Sequence, residues 1–197
     1  MSEATPPLDA ERIVEVLDRH GVDYVIVGGV GARLHGASHL TYDLDLCPGW
    51  EPANLDRLAA ALRELEARLR DLPPDVELPP ITGKTLREMS IGTWRTSAGD
   101  LDVLRDISSG DRHHPNSYEQ LVNRATTREF LGCTIYVADL GDIITSKEVA
   151  DRPKDREALP ELRVLYAAQS GAAPPEKHSP RAVKSPSDAE NEPGRHN

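Results

Sequence analysis

The 197-residue chain has a formal net charge of −10 and is 38% hydrophobic but only 4% aromatic, which suits one domain, or one with a small appendage, built on Leu, Val, Ile and Ala. Its acidity excludes a general nucleic-acid coat, which needs many basic contacts to phosphates, but leaves room for a local basic patch that grips one RNA end. There is no apolar run of about eighteen residues, Met1 to Pro7 has neither a basic start nor an apolar stretch, and two cysteines, Cys47 and Cys133, are too few for a disulfide framework; a spanning helix and a signal peptide are excluded, and the thiols read as reduced in a cytoplasmic protein.

Residues 1–8 read as a flexible N-terminus. Asp9 then caps a helix with Ile13, Val16 and Leu17 at helical spacing and Gly21 as its stop. Asp23 to Val27 is a short β-branched strand that ends on glycines, Ala32 to His35 a brief helix that ends at Gly36, and Tyr42 to Leu46 a strand of strict alternation. Leu55, Leu58, Leu62, Leu65 and Leu69 step by three and four, which predicts an amphipathic core helix over residues 53–70, with its charges solvated. Pro73-Pro74 and Pro79-Pro80 mark a loop. Two hairpins follow, Ile91 to Arg95 with Leu101 to Arg105, and Arg128 to Phe130 with Thr134 to Val137, the second turning at Leu131-Gly132. Helices are expected over residues 140–150 and 155–168. From Gly171 to Asn197, Val183 is the only apolar side chain larger than alanine, so this stretch buries too little to offset its ordering entropy and reads as a disordered tail.

Chemistry concentrates between Gly28 and Asp45. Gly31 and Gly36 have P-loop spacing, but Ala37 stands where the phosphate-binding lysine is required. Gly29 and Gly31 begin a dinucleotide fingerprint, but Leu34 occupies its third glycine position. What remains is a strand, a double glycine, a short helix, then Asp43-Leu44-Asp45 on the next strand. Alternation puts Asp43 and Asp45 on one face, where two carboxylates repel unless a cation sits between them. Mg²⁺ favours such oxygen ligands and keeps nucleotide phosphates as its others, and a pair of ions can assist displacement at phosphorus. Gly28 and Gly29, lacking Cβ atoms, are read as allowing backbone amides close to a triphosphate. The plainer alternative is a solvent-facing Asp pair beside an ordinary turn.

Gly28, Gly29, His35, Gly36, Thr41, Asp43, Asp45 and Leu46 match, in register, a pattern of the nucleotidyltransferase superfamily, and the segment resembles its branch of AbiEii-like abortive-infection proteins. Gly31 replaces an alanine of that pattern, Leu44 an isoleucine, and His39 stands where arginine is usual. Further matches are Asp102, and Lys147 followed by Arg152-Pro153-Lys154-Asp155. Asp100 shares the face of Asp102 by alternation, so the choice between them rests on the resemblance.

The resemblance implies an α/β nucleotidyltransferase fold over residues 9–170: a mixed β-sheet flanked by helices, with a small helical C-terminal part from about residue 139. It implies Asp43, Asp45 and Asp102 as ligands of two Mg²⁺ ions, with Asp102 as metal ligand or base. Gly28, Gly29, Thr41, Lys147 and Asp155 would serve nucleotide binding, with Asp155 either orienting Lys147 or capping the last helix. The size and motifs look closest to the MenT-type toxins of bacterial toxin–antitoxin pairs, which transfer nucleotides, usually from pyrimidine NTPs, to the 3′ acceptor end of tRNA. A cognate antitoxin, kinase-like in some such pairs, is the implied partner, and Thr41 or Ser38 the hydroxyl it would phosphorylate. A nucleotidyltransferase acting on a protein or small molecule, as aminoglycoside modifiers do, and a non-catalytic binding partner are the alternatives. Arg63, Arg68, Arg87, Arg95, Arg105 and Arg128 are candidates for an RNA patch; His113 and His114, with no third ligand nearby in sequence, are not read as a metal site.

Overall fold

The computed structural model describes residues 6–70, 80–130 and 132–171. The N-terminus before residue 6, the loop prolines at 73, 74 and 79, Leu131 of the second hairpin turn and the tail beyond Gly171 lie outside the described residues.

Helix α1 (Ala10–Arg19) starts at Asp9, whose side chain accepts from the Arg12 backbone N–H, and buries Ile13, Val14, Val16 and Leu17. Strand β1 (Tyr24–Ile26) leads into α2 (Gly28–Leu34), which begins four residues before the expected helix because the two glycines form its first turn. Strand β2 (Asp43–Pro48) is followed by α3 (Pro52–Glu64), entered through a proline in its first turn. The leucine stripe runs on past this helix. At Glu66 the backbone turns left-handed (φ 53°), and Leu69 reaches the core from a strand, β3 (Arg68–Leu69). Spacing by three and four cannot separate a helix from a helix plus a packed strand, so the expected end near residue 70 is corrected to 64.

The first hairpin is β4 (Ile91–Thr96) and β5 (Gly99–Leu104), and the second β8 (Thr126–Phe130) and β9 (Cys133–Val137), both where the sequence placed them. Helix α4 (Gly83–Arg87) precedes the first hairpin, and between the two lie the small pair β6 (Asp106–Ile107) and β7 (Asn116–Ser117), then α5 (Tyr118–Val122). Both short helices carry capping boxes, Thr82 with Thr85 and Ser117 with Gln120, but are too short to show periodicity. The last described elements are α6 (Leu140–Ala150) and α7 (Pro153–Ser170).

The seven-stranded sheet runs β3-β4-β5-β2-β1-β9-β8. It is mixed: β2 pairs parallel to β5 and β1 parallel to β9, while the other pairs are antiparallel. One face (Ile26, Leu44, Leu46, Leu101, Val103) packs on α1 and α3; residues of the other (Val25, Val27, Cys47) join a second cluster with Leu121 of α5, Ile143 and Ile144 of α6, and Leu159 and Leu162 of α7. Among the described residues no helix is long and apolar enough to cross a membrane. Leu44 is fully buried between two aspartates, so Leu44→Ala is expected to lower unfolding free energy in urea by about 2–5 kcal/mol through the cavity it leaves.

Candidate active site

The alternation Asp-Leu-Asp-Leu in β2 sends Leu44 and Leu46 into the α1/α3 layer and turns Asp43 and Asp45 to the opposite face. Strand β5 repeats the device: Leu101 and Val103 are buried, Asp100 and Asp102 face the other way. Because β2 and β5 pair in parallel, Asp43 sits beside Asp100 and Asp45 beside Asp102, giving a two-by-two array of carboxylates. One carboxylate oxygen each of Asp43, Asp45 and Asp102 lie within 4.8 Å of one another. The three residues singled out in the sequence are thus brought together. An all-oxygen donor set of this spacing fits Mg²⁺, a hard cation bound through carboxylates and phosphates.

The fourth carboxylate is diverted. Arg70, just past β3, donates Nη1 to Asp100 Oδ2 at 3.0 Å and Nη2 to Asp102 Oδ1, and Arg95 Nε stands 3.8 Å from Asp100 Oδ1. Sequence reasoning missed Arg70, because its approach depends on a strand where a helix was expected.

Burial, then the charges of Asp43 and Asp102, raise the pKa of Asp45 to about 6, against a weak hydrogen bond from the Gly29 N–H (3.4 Å) and the charge of Lys154. Burial also raises Asp102, with Arg70 opposing. Thr41 Oγ1 donates to Asp43 Oδ1 at 2.9 Å. The glycines have a nearer reason than a triphosphate. Gly28 is left-handed (φ 60°), and a Cβ there would lie 2.0 Å from Asp45 Oδ2; one on Gly29 would lie 2.5 Å from Thr41 Oγ1. The double glycine makes room for the chain's own site residues.

Lys147, on α6, donates to Asp155 Oδ1 at 3.0 Å, and Arg152 Nε donates to Asp155 Oδ2 at 2.6 Å. Asp155 is fully buried; burial opposes its charge, but the hydrogen bonds from Arg152 and Lys147 outweigh that and hold its pKa below the ordinary carboxylate value. Asp155 therefore orients Lys147 and also stands in the first turn of α7. Lys147, Arg152 and Lys154 all line the cavity of about 390 Å³ that contains the three aspartates, and Lys154 makes no hydrogen bond or ion pair among the described residues.

His39 pairs through Nδ1 with Glu161 Oε2 at 2.6 Å, and the Ser38 N–H donates to Glu161 Oε1 at 2.9 Å. His35 is buried and bonded through Nε2 to the Ala138 carbonyl at 2.8 Å. His114 pairs with the exposed Asp111 and takes no part in the cavity. The six candidate arginines do not form one patch: Arg68 and Arg95 are cross-strand neighbours on β3 and β4, whereas Arg128 is on β8 at the other edge of the sheet.

Gly28→Ala is expected to cost about 1–2 kcal/mol from the left-handed backbone alone and to push Asp45 aside, measurable as lower urea stability together with weaker Mn²⁺ binding. Lys147→Ala leaves buried Asp155 with one partner and should cost about 1–3 kcal/mol in the same unfolding assay.

No family model matches the chain, and no curated protein does. Among solved structures, the lincomycin-bound lincosamide antibiotic adenylyltransferase LnuA is similar with a TM-score of 0.51 and 12% identity, covering 81% of this chain and 99% of that one. The antibiotic-resistance factor ANT(2″)-Ia matches with a TM-score of 0.49 and 16% identity over 82% of this chain and 89% of that one. An antigenic nucleotidyltransferase-like protein from Paracoccidioides brasiliensis matches with a TM-score of 0.43 and 18% identity, covering 81% and 79% respectively. The chain has the nucleotidyltransferase fold, with its acidic cluster on the paired strands β2 and β5.

Proposed function

We propose that this protein is a metal-dependent nucleotidyltransferase that moves a nucleoside monophosphate from an NTP to an acceptor hydroxyl, releasing pyrophosphate. The observation that carries the reading is the convergence of Asp43, Asp45 and Asp102 at one end of a cavity whose α6/α7 side holds Lys147, Arg152 and Lys154. Carboxylates gathered this closely call for cations, and the lysines and Arg152 beside them suit a polyphosphate. Asp43, Asp45 and Asp102 would hold Mg²⁺, two ions in the fullest form. When bound, Mg²⁺ offsets triphosphate charge and makes the acceptor hydroxyl a better nucleophile.

The chain's own groups do the rest. Lys154, without an ion pair among the described residues, would approach phosphate oxygens as a point charge, while Lys147 is held in place by Asp155 and adds a second. Asp102, with Oδ1 held by Arg70, offers a carboxylate oxygen to the cluster, placed to ligate or to accept the acceptor's proton. The apolar wall of Ile143, Ala158 and Leu162 excludes water from that side.

For the acceptor we favour an RNA 3′ end, the tRNA acceptor end in a toxin of a toxin–antitoxin pair, with a pyrimidine NTP as donor. Leu40 and Tyr42 stand on the cavity rim, 76% and 79% exposed, a place where an unpaired base would stack, and Arg68 and Arg95 lie on the same face of the sheet as the carboxylates. In this reading a cognate kinase-like antitoxin would act at Thr41, whose hydroxyl touches Asp43 and whose phosphorylation would add about −1.5 to −2 charges beside the ligands. A small-molecule acceptor is the second reading. It is favoured by the similarity to a lincosamide adenylyltransferase of nearly the same extent.

The test is incubation of the purified protein and Mg²⁺ with each labelled NTP, with bulk tRNA or with a lincosamide and aminoglycoside panel. Label on RNA supports the first acceptor and label on a drug the second. Asp43→Asn and Asp45→Asn should each abolish labelling while remaining folded; near-normal activity in either overturns the assignment.

The pH dependence has a definite sign. Asp45 is protonated below about pH 6, so Mn²⁺ binding should fall away as pH drops through that value. Its folded pKa is raised above the ordinary 3.8, so ionising it costs the metal-free fold, and metal-free stability should decline as pH rises through the window between those values. Thermal melts of wild type and Asp45→Asn from about pH 4 to 8, with and without Mn²⁺, check both.

A further inference from the structure

On the face that carries the carboxylates, the register gives two rows across the sheet. Arg68 lies beside Arg95, Arg95 beside Asp100 and Asp100 beside Asp43. In the next row the Arg70 N–H donates to the Thr93 carbonyl at 2.9 Å, Thr93 lies beside Asp102, and Asp102 beside Asp45. Thr93 is small, so the Arg70 side chain passes over β4 and its fork spans from one row to the other, one Nη on Asp100 and one on Asp102. The Arg70 side chain is only 18% exposed, as is that of Asp100, so this is no solvated surface pair. Arg95 remains 3.8 Å from Asp100, which leaves Arg70 as its hydrogen-bonded cation.

We propose that Arg70 is the resident counter-cation of the acidic cluster: by bridging Asp100 and Asp102 it keeps Asp100 out of the metal site and holds free-ion affinity down, so that ions enter with the nucleotide. It is a positioning residue, acting through Asp102. The inference rests on the reading that Asp43, Asp45 and Asp102 take divalent ions. Its physical basis is that four like charges in a two-by-two array attract divalent ions strongly unless a fixed positive charge occupies part of the array, and that a planar fork can satisfy two carboxylates at once where an ammonium cannot.

The test uses Mn²⁺ binding to the full chain without nucleotide, followed by electron paramagnetic resonance of free Mn²⁺, in wild type, Arg70→Gln, Arg70→Lys, Asp100→Asn, Arg70→Gln/Asp100→Asn and Asp43→Asn. Arg70→Gln should tighten Mn²⁺ binding by about tenfold, because it removes a fixed positive charge that repels the incoming ion. Arg70→Lys should lie between it and wild type. Asp100→Asn alone should leave Mn²⁺ affinity within about twofold of wild type, and combined with Arg70→Gln it should cancel part of the tightening. A merely structural role for Arg70 predicts the opposite sign, since a loosened site binds ions more weakly. Unchanged or weakened binding in Arg70→Gln, or a loss of binding in Asp100→Asn as large as in Asp43→Asn, overturns the inference. Should Arg70→Gln not fold, Arg70→Lys decides by the same sign. A wild type that binds no Mn²⁺, or an Asp43→Asn variant that binds it normally, overturns instead the metal-site reading on which the inference stands.

Discussion

Repulsion among four carboxylates is the constraint to which the rest of this structure answers. Parallel pairing of β2 with β5 sets Asp43 and Asp45 directly beside Asp100 and Asp102, and the alternate leucines and valine that fill the α1/α3 layer forbid any slip of register that would separate them. A one-residue shift would bury the aspartates and expose Leu44, Leu46, Leu101 and Val103. The hydrophobic core thus enforces an arrangement that electrostatics alone would disperse, and burial with crowding pushes Asp45 up to about 6.

The features around the cluster follow as partial compensation. Thr41 donates to Asp43, the Gly29 N–H leans on Asp45, Arg70 spans Asp100 and Asp102, and Lys154 contributes charge from α7. None of these neutralises the three aspartates that converge. Of the three, Asp102 has an ion pair, to Arg70, while Asp43 and Asp45 have none among the described residues, so the cluster keeps a net demand for cations.

Much of this was legible in the residue pattern, for reasons that can be named. Asp43-Leu44-Asp45 and Asp100-Leu101-Asp102 show alternation, so their faces could be assigned from a period of two. The leucine stripe misled at its end, since Leu69 keeps the spacing of a helix while sitting on β3, and with β3 went Arg70. The glycines were located, yet for an incomplete reason: the crowding of Gly28 by Asp45 and of Gly29 by Thr41 is a long-range contact that no local pattern displays. Likewise Lys147 and Asp155 were singled out, but only the packing of α6 on α7 shows that Asp155 holds Lys147 and Arg152 together, with Lys154 beside them in the cavity.

The C-terminal helices belong to the site rather than being appended to it. Three side chains along α7 grip the segment that leads into β2 or the cations beside it. Asp155 holds Lys147, Glu161 accepts from the Ser38 N–H and pairs with His39, and Gln169 Nε2 donates to the His35 carbonyl at 2.8 Å. His35 in turn bonds the Ala138 carbonyl just before α6. The stretch from His35 to Thr41 is therefore tied at one side to the last helix and at the other to Asp43 through the Thr41 hydroxyl. His39 makes this tie through its imidazole Nδ1, which reaches Glu161 Oε2. A displacement of α7 would act on the carboxylates through that short segment and on Lys147 and Arg152 through Asp155, so both sides of the cavity are tied to one helix.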